Sequence, residues 1–312
     1  MVLKRLFLGV GMLFVISVLI FIGVEALPGD LAEAILGQAA TPESIQAFRS
    51  NLKLDLPPHT RYLSWIGGIL QGDLGTSLAN NRPIADLLSS RISNTFFLAA
   101  TAAVFSIPIS ILLGILAALY RESFFDKFIS IFTLSMISFP EFFVAYILMV
   151  LLAVEFQIFP SLAIVRDSMT FFERLYAISL PALTLTLIVI AHMMRMTRAA
   201  IINVLASPYI EMAHLKGIKK VRIIVQHATP NSLSPIINVV VLNLAYMVVG
   251  VVLVEVVFVY PGLGQLLVDS VSKRDLPVVQ ASCLIFAGVY ILLNLLADVL
   301  SILANPKLRH PK

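Results

Sequence analysis

Few residues within the apolar runs of this sequence could do chemistry. Glu141 directly follows Pro140 in one run, and Glu255 lies near the end of another. An acid in a membrane-spanning helix usually faces a bundle interior or an aqueous path. Glu141 could therefore line a pathway, or it could mark a helix break near the membrane interface. We expect Glu255 and Glu155 to be solvated near the outer surface. We expect His192 to be packed and hydrogen-bonded, since no second metal ligand lies at a suitable spacing.

Motifs for hydrolysis and metal binding are missing from the sequence. It has no G-x-x-x-x-G-K-[ST] phosphate loop, no G-x-S-x-G elbow, no H-E-x-x-H and no Cys/His cluster. Its single cysteine, Cys283, cannot build a disulfide framework. We therefore predict no catalytic residue, no metal site and no resident cofactor. If a nucleotide powers this protein, another subunit hydrolyses it.

The composition indicates an integral membrane protein. The 312 residues are 59% hydrophobic and 13% charged, whereas a soluble domain is nearer half apolar and a quarter charged. A helix needs roughly 20 apolar residues to cross the hydrocarbon core. Six segments meet that length, at about 6–27, 96–120, 128–156, 175–197, 232–257 and 279–304. The first continues to Leu27 without a small-residue cleavage site, so we interpret it as an uncleaved span.

The distribution of basic residues predicts the orientation. Lysines and arginines near span ends accumulate on the cytoplasmic side. With the N-terminus inside, thirteen of the 22 lie in the short inside segments. Six spans then place both termini in the cytoplasm, and the most basic loop, between spans four and five, lies inside.

The first outside loop, 28–95, is predicted to be structured. Thr41 is placed to cap a helix that begins at Pro42. Further on, Tyr62, Trp65 and Ile69 share one face of an amphipathic helix suited to the membrane interface. "ANNRPIAD" indicates a turn that leads into another short helix. The loop could be a packed cap, a docking surface for a soluble partner, or both.

The inside loop "SPYIEMAHLKGIKKVRIIVQHATPN", residues 207–231, contains a short helix with defined ends. Ser207 can cap it, Pro208 suits its first position, and Gly217 can end it. The small residues Ala213 and Gly217 would let another protein's surface approach closely. An ordinary basic loop would explain the charge alone, whereas the cap, the glycine and the small residues favour a docking helix.

This segment resembles the EAA loop of ABC importer permeases. That loop reads E-A-A-x-x-x-G, and Glu211, Ala213 and Gly217 match it, with Met212 in place of the middle alanine. "HATPNSL" follows after nine residues and is similar to the H-A-L-x-N-x-L of the peptide/nickel branch.

Four further stretches resemble the same branch, so that the resemblance covers nearly the whole chain. They are "ALPGDLAEAILG", "GDLGTSLANNRPIADLLSSRISNT", "VEVVFVYPGLGQLLVDSVSKRDLPVVQ" and "NLLADVLSILANPKLR". The last departs mildly from the usual ending at Ala304, Asn305 and Lys307. With its long first outside loop, the chain looks like the first of the two permeases of dipeptide and oligopeptide importers.

The resemblance implies an all-α integral membrane protein with the type I ABC importer permease fold and six transmembrane helices. Its expected parts are an N-terminal helix, 1–27; an extracytoplasmic loop with short helices, 28–93; a permease core, 94–304, with the coupling helix at about 207–217; and a cytoplasmic tail, 305–312. The expected location is the bacterial cytoplasmic (inner) membrane.

It also implies partners and roles. Two ATP-binding cassette subunits would bind ATP and magnesium and seat the coupling helix, whose residues would be Tyr209, Glu211, Ala213, His214 and Gly217. A second homologous permease would share the pathway, lined in part by Glu141, Asn238 and Asn243. An extracytoplasmic binding protein would deliver the cargo, and nucleic acid is not expected as a partner.

The expected cargo is a di- or oligopeptide; nickel chelates, glutathione and opine- or sugar-like solutes stay open. A gradient-driven secondary transporter is less favoured, since paired intramembrane carboxylates and a convincing inverted repeat are missing. A non-transporting membrane scaffold for the ATPase is the other alternative.

Overall fold

The computed structural model describes residues 2–26, 41–51, 54–166 and 168–304. The P-G-D stretch after the first span and the predicted cytoplasmic tail, 305–312, lie outside these residues. In the described part of the chain the regular secondary structure is helical, with one isolated bridge between Thr76 and Pro83. The all-α prediction is confirmed for these residues.

Thirteen helices are numbered here in chain order. They are α1 (Val2–Glu25), α2 (Pro42–Asn51), α3 (Pro58–Leu70), α4 (Ile84–Leu119), α5 (Phe124–Ser138), α6 (Glu141–Leu148), α7 (Phe171–Ala177), α8 (Ser179–Leu205), α9 (Pro208–Leu215), α10 (Lys220–Arg222), α11 (Leu233–Val257), α12 (Leu263–Ser272) and α13 (Leu276–Ala304). The π-helical turns Met149–Glu155 and Ile223–Ala228 continue α6 and α10, and Thr229–Asn231 then leads to α11.

Four of these helices, α1, α4, α8 and α13, are long and apolar enough to cross a membrane. Two bent pairs raise the number of candidate spans to six if each pair is one span. The pair Phe124–Ser138 and Glu141–Glu155 bends by 107°, and the pair Lys220–Asn231 and Leu233–Val248 bends by 64°.

Two sequence predictions need correction. The short helix expected after "ANNRPIAD" and the second span are one helix of 36 residues, α4. No glycine or proline interrupts residues 84–96, so nothing ends the helix there. The third span is not a single straight helix, because Pro140 has no N–H to donate and its ring favours an extended residue before it. Phe139 accordingly has φ −90° and ψ 141°.

The structure divides into two compact units. The first comprises residues 3–95 and 261–288. Here α3 packs against α1 through Tyr62 and Trp65, whose rings lie 5.5 and 6.2 Å from the ring of Phe21. The Tyr62 hydroxyl lies 2.8 Å from the Ser17 hydroxyl. The predicted apolar face of α3 is confirmed, and so is the Thr41 cap, whose hydroxyl accepts the Ser44 N–H (3.2 Å).

A buried carboxylate joins distant parts of this first unit. Asp275 is 3% exposed. It accepts hydrogen bonds from the Ser77 hydroxyl and from the backbone N–H of Leu78 (3.0 Å). A second tie is made at the start of α12, where the Leu263 N–H donates to the Thr95 hydroxyl (2.8 Å). Together these bonds attach the segment after α3 to the segment after α11.

The second unit comprises, among the described residues, 96–260 and 289–304, and α8 is its central helix. One face of α8 is buried against α5, α6 and α11, with Met193, Met194 and Ile201 fully enclosed. The α4 segment crosses α8 closely at Gly114. A Cβ atom built there would lie 2.8 Å from the Thr197 Cβ. Small residues at such crossings let two helix backbones approach.

We expect Gly114→Ala to destabilise the protein by about 1–3 kcal/mol, because the Thr197 Cβ is fixed to its backbone and cannot retreat. The matched control is Gly23→Ala on α1, where an added Cβ meets nothing within 4 Å. Thermal unfolding in detergent measures both variants. Equal midpoints for the two would contradict the close α4–α8 crossing.

Candidate functional site

Helix α9 ends in a glycine-dependent turn. Gly217 has φ +73°, a left-handed conformation that costs glycine little. Its N–H donates to the His214 carbonyl (2.9 Å), and the Ile218 N–H donates to the Ala213 carbonyl (3.2 Å). This pair of bonds is the Schellman motif, which satisfies carbonyls that the helix end leaves free. The predicted stop at Gly217 is confirmed.

The two faces of α9 have different surroundings. Ile210 and Ala213 are 1% and 9% exposed. They pack in a cluster, called here the α9 anchor, whose other buried members are Ala118, Ile201, Ile223, Ile224, Ala228 and Ile236. Tyr209, Glu211 and His214 lie on the exposed side. Ala213 therefore faces the chain's own core, whereas the sequence suggested that its small size leaves room for another protein.

The connection from α8 to α9 is short. α8 ends at Leu205, and α9 begins three residues later. The expected Ser207 side-chain cap is wrong: its hydroxyl donates backwards to the Val204 carbonyl (2.5 Å). The last carbonyls of a helix have no partner within the helix, so the end of α8 takes this hydroxyl.

An ion pair ties α8 to α5. The Arg198 guanidinium donates two bonds, of 2.7 and 2.8 Å, to the two carboxylate oxygens of Asp126. Asp126 is buried and also accepts the Glu122 backbone N–H (3.0 Å). Such a bidentate pair fixes both distance and orientation. The half of α8 that leads to α9 is thereby joined to α5.

A cavity of about 320 Å³ lies in the second unit, among α6, α8, α11 and α13. Its lining residues are Glu141, Leu185, Ile188, Val189, His192, Met196, Leu242, Asn243, Tyr246, Met247, Gly250 and Tyr290. The α8 and α11 members recur at helical spacing, so each helix contributes one stripe. An apolar cavity with a few polar groups is typical of a binding site for a small molecule.

The cavity brings together two of the three residues that we predicted for a pathway. Glu141 and Asn243 line it, whereas Asn238 is half-buried on α11 and is not among the lining residues. Glu141 is also the first residue after the break at Pro140. The helix break at Glu141 is confirmed, and its role in a pathway stays a prediction.

Two other predictions for polar residues in the spans are corrected. His192 is exposed and lines the cavity rather than being packed. Glu255 is fully buried rather than solvated. Just after α11, the Tyr260 N–H donates to the Glu255 backbone carbonyl (2.8 Å). Burial, together with the nearby Glu255 carboxylate, raises the pKa of the Tyr260 hydroxyl. Glu155 is exposed, as expected.

Sequence reasoning missed Tyr246, Gly250 and Tyr290 as cavity residues. A signal was present for the first two, because Asn243, Tyr246 and Gly250 follow a spacing of i, i+3 and i+7. Among the described residues, no group of three or more His, Cys, Asp or Glu could hold a metal ion.

Comparison with known proteins places this geometry in context. A family model described as "Binding-protein-dependent transport system inner membrane component" matches residues 110–310, and the N-terminal membrane-component model of such systems matches residues 1–99. The glutathione transport system permease protein GsiC of Escherichia coli strain K12 is 37% identical over 309 residues, which are 99% of this chain and 98% of that protein. GsiC of Shigella dysenteriae serotype 1 is similar to the same extent.

We expect Arg198→Ala to destabilise the protein by on the order of 3 kcal/mol, because it leaves the buried Asp126 carboxylate without its counter-charge. The matched control, Arg195→Ala, removes an exposed arginine one turn earlier on α8 and should change the stability by about 0.5 kcal/mol or less. Thermal unfolding in detergent compares them. A loss of stability in the control as large as in Arg198→Ala would contradict the role of the pair.

Proposed function

The chain belongs to the family of binding-protein-dependent transport system inner membrane components, and we propose that its importer carries di- and oligopeptides, glutathione among them. It is a permease subunit of an ABC importer of the inner membrane, not an enzyme. The similarity to GsiC, a glutathione transport system permease protein, supports a peptide cargo, because glutathione is a small peptide.

The proposed membrane arrangement has six spans with both termini in the cytoplasm. Each bent pair then counts as one span, which agrees with the even number that the distribution of charge favours. In this arrangement α9 lies on the cytoplasmic side. The extracytoplasmic part includes α2 and α3, which would receive a cargo-loaded binding protein.

The observation that carries the proposed coupling is the two-sided helix α9. Its inner residues, Ile210 and Ala213, belong to the α9 anchor, and Tyr209, Glu211 and His214 are exposed for a partner. We assign the exposed residues and Gly217 to contact with one of two ATP-binding cassette subunits, and Ala213 to anchoring. ATP and magnesium would be bound by those subunits and not by this chain.

Closure of the ATPase pair would displace α9 as a rigid body. The α9 anchor would pass the displacement to α8 and α11, which line most of the cavity. Alternating access would follow from movement of these helices against a second, homologous permease subunit. Glu141 and Asn243 would contact cargo in the cavity, and Asn238 would lie on the same helix as Asn243.

Reconstitution tests this proposal. Proteoliposomes that contain this chain, the second permease and the ATPase subunits should take up glutathione and alanylalanine when ATP and the loaded binding protein are supplied. Removing either the ATPase or the binding protein should abolish uptake. Uptake by this chain alone under a pH gradient would identify a secondary transporter. Uptake of a nickel chelate or an opine, without uptake of any peptide, would disprove the peptide cargo but not the ATP-driven import.

Gly217→Val should uncouple ATP hydrolysis from uptake, because a β-branched residue is strained at positive φ by about 1–3 kcal/mol and changes the end of α9. We expect the uptake per ATP hydrolysed to fall about tenfold, with the protein still inserted and assembled.

The matched control is Gly72→Val, at φ +82° in the proposed extracytoplasmic part, where an added Cβ also meets nothing within 4 Å. It carries the same kind of strain and should keep the wild-type ratio of uptake to hydrolysis. A wild-type ratio in Gly217→Val would refute the coupling role of this turn.

A further inference from the structure

The cavity contains a carboxylate oxygen without a hydrogen-bond partner. Oε2 of Glu141 is buried, and none of the residues that the structure describes donates a hydrogen bond to it. It lies against α11 at Gly250, where an added Cβ would be 3.0 Å away. The missing side chain of Gly250 therefore provides the room that the carboxylate occupies.

The charge of the cavity has one sign. Glu141 is the one acid among its described lining residues, and that lining includes no lysine or arginine. Most of the lining is aliphatic, for example Leu185 and Val189. Moving a carboxylate out of water without a hydrogen-bonding or charged partner costs free energy. A positively charged ligand would supply that partner, so the cavity favours one.

Asn243 is another polar residue of the lining, beside His192, Tyr246 and Tyr290, and it presents an acceptor. The Asn243 amide nitrogen already donates to the Val239 carbonyl (2.7 Å) and lies 3.9 Å from the Met196 sulfur. What Asn243 can still offer a ligand is its carbonyl oxygen. A primary ammonium has three N–H donors and no acceptor, and it is therefore complementary to a carboxylate and an amide oxygen.

We propose that Glu141 binds the primary ammonium group of the cargo during its passage, with the Asn243 amide oxygen as a second acceptor. This rests on the proposed import of peptides, since di- and oligopeptides and glutathione each carry a free ammonium at their amino terminus. The cavity then selects for an unblocked amino group within the permease, separately from any selection by the binding protein.

A different occupant of the same carboxylate is a basic side chain of the second permease subunit. The cavity reaches the protein surface at Tyr246, which is 73% exposed. Removing the charge of Glu141 would then disturb assembly of the two permeases instead of the choice of ligand. The test separates the two outcomes.

The test measures equilibrium binding to the complete importer in nanodiscs, with both permeases and the ATPase subunits but without the binding protein. The probes are radiolabelled alanylalanine and N-acetyl-alanylalanine, which has lost the ammonium charge. The wild type should bind the free peptide about 10- to 100-fold more tightly, as a hydrogen bond to a charged group provides. Glu141→Gln should bind the two peptides equally.

Two further variants complete the test. Glu155→Gln removes an exposed acid from the same bent helix pair, outside the cavity, and should keep the wild-type preference. Gly250→Ala keeps the charge of Glu141 but places a methyl group against its carboxylate, and alanine suits the α11 helix better than glycine does. It should weaken binding of the free peptide and leave the acetylated peptide unchanged.

Equal weakening of both peptides in Glu141→Gln and Gly250→Ala would overturn the assignment. So would loss of assembly in Glu141→Gln combined with full preference in Gly250→Ala, which would point to the second permease. The cargo is tested separately by uptake. If the wild type imports both peptides without preferring the one with a free ammonium, the proposed function stands and the Glu141 site is disproved. If the wild type imports no peptide, both the proposed cargo and the Glu141 site are disproved.

Discussion

The packing of α9 against its own chain determines how a force on this helix could reach the rest of the protein. Ile210 lies in a cluster with Ile201 of α8 and Ile236 of α11. Burying an aliphatic side chain of this size contributes about 1.5–3 kcal/mol, and close-packed interiors transmit strain rather than absorb it. A displacement of α9 must therefore carry α8 and α11 with it. These two helices also supply ten of the twelve residues that line the cavity, so one set of packed side chains connects α9 with the helices of the cavity.

The helix break at Pro140 precedes Glu141, the acidic residue of the cavity lining. Within a membrane, non-helical backbone is tolerated where it is buried in protein or lines a water-filled space. The proline ends α5, and Glu141 begins α6 with its side chain toward Gly250. The Pro140 carbonyl is satisfied by the N–H groups of Phe143 and Val144, at 3.0 and 3.2 Å. The same proline thus bends the segment and brings an acid to the cavity.

Local signals predicted the parts of this fold that depend on local chemistry. The runs of apolar residues identified the candidate spans, Thr41 capped its helix, and Gly217 ended α9. Features that depend on tertiary packing were wrong or missed. His192 was expected to be packed and Glu255 solvated, because sequence alone does not tell which face of a span meets a cavity. Ser207 failed as a cap because the end of α8 competes for its hydroxyl.

The motifs that relate this chain to its family have structural tasks in the first unit. Gly72 and Gly75 adopt positive φ, and Asp73 accepts the Gly75 N–H (2.8 Å). Ser77 is joined to Asp275. The Ser77–Asp275 bond builds a tertiary junction within the first unit, and the glycines shape the turn that precedes Ser77. The cavity residues lie elsewhere in the sequence, in apolar stretches between the motifs. The family motifs and the residues that line the cavity are therefore separate parts of this sequence.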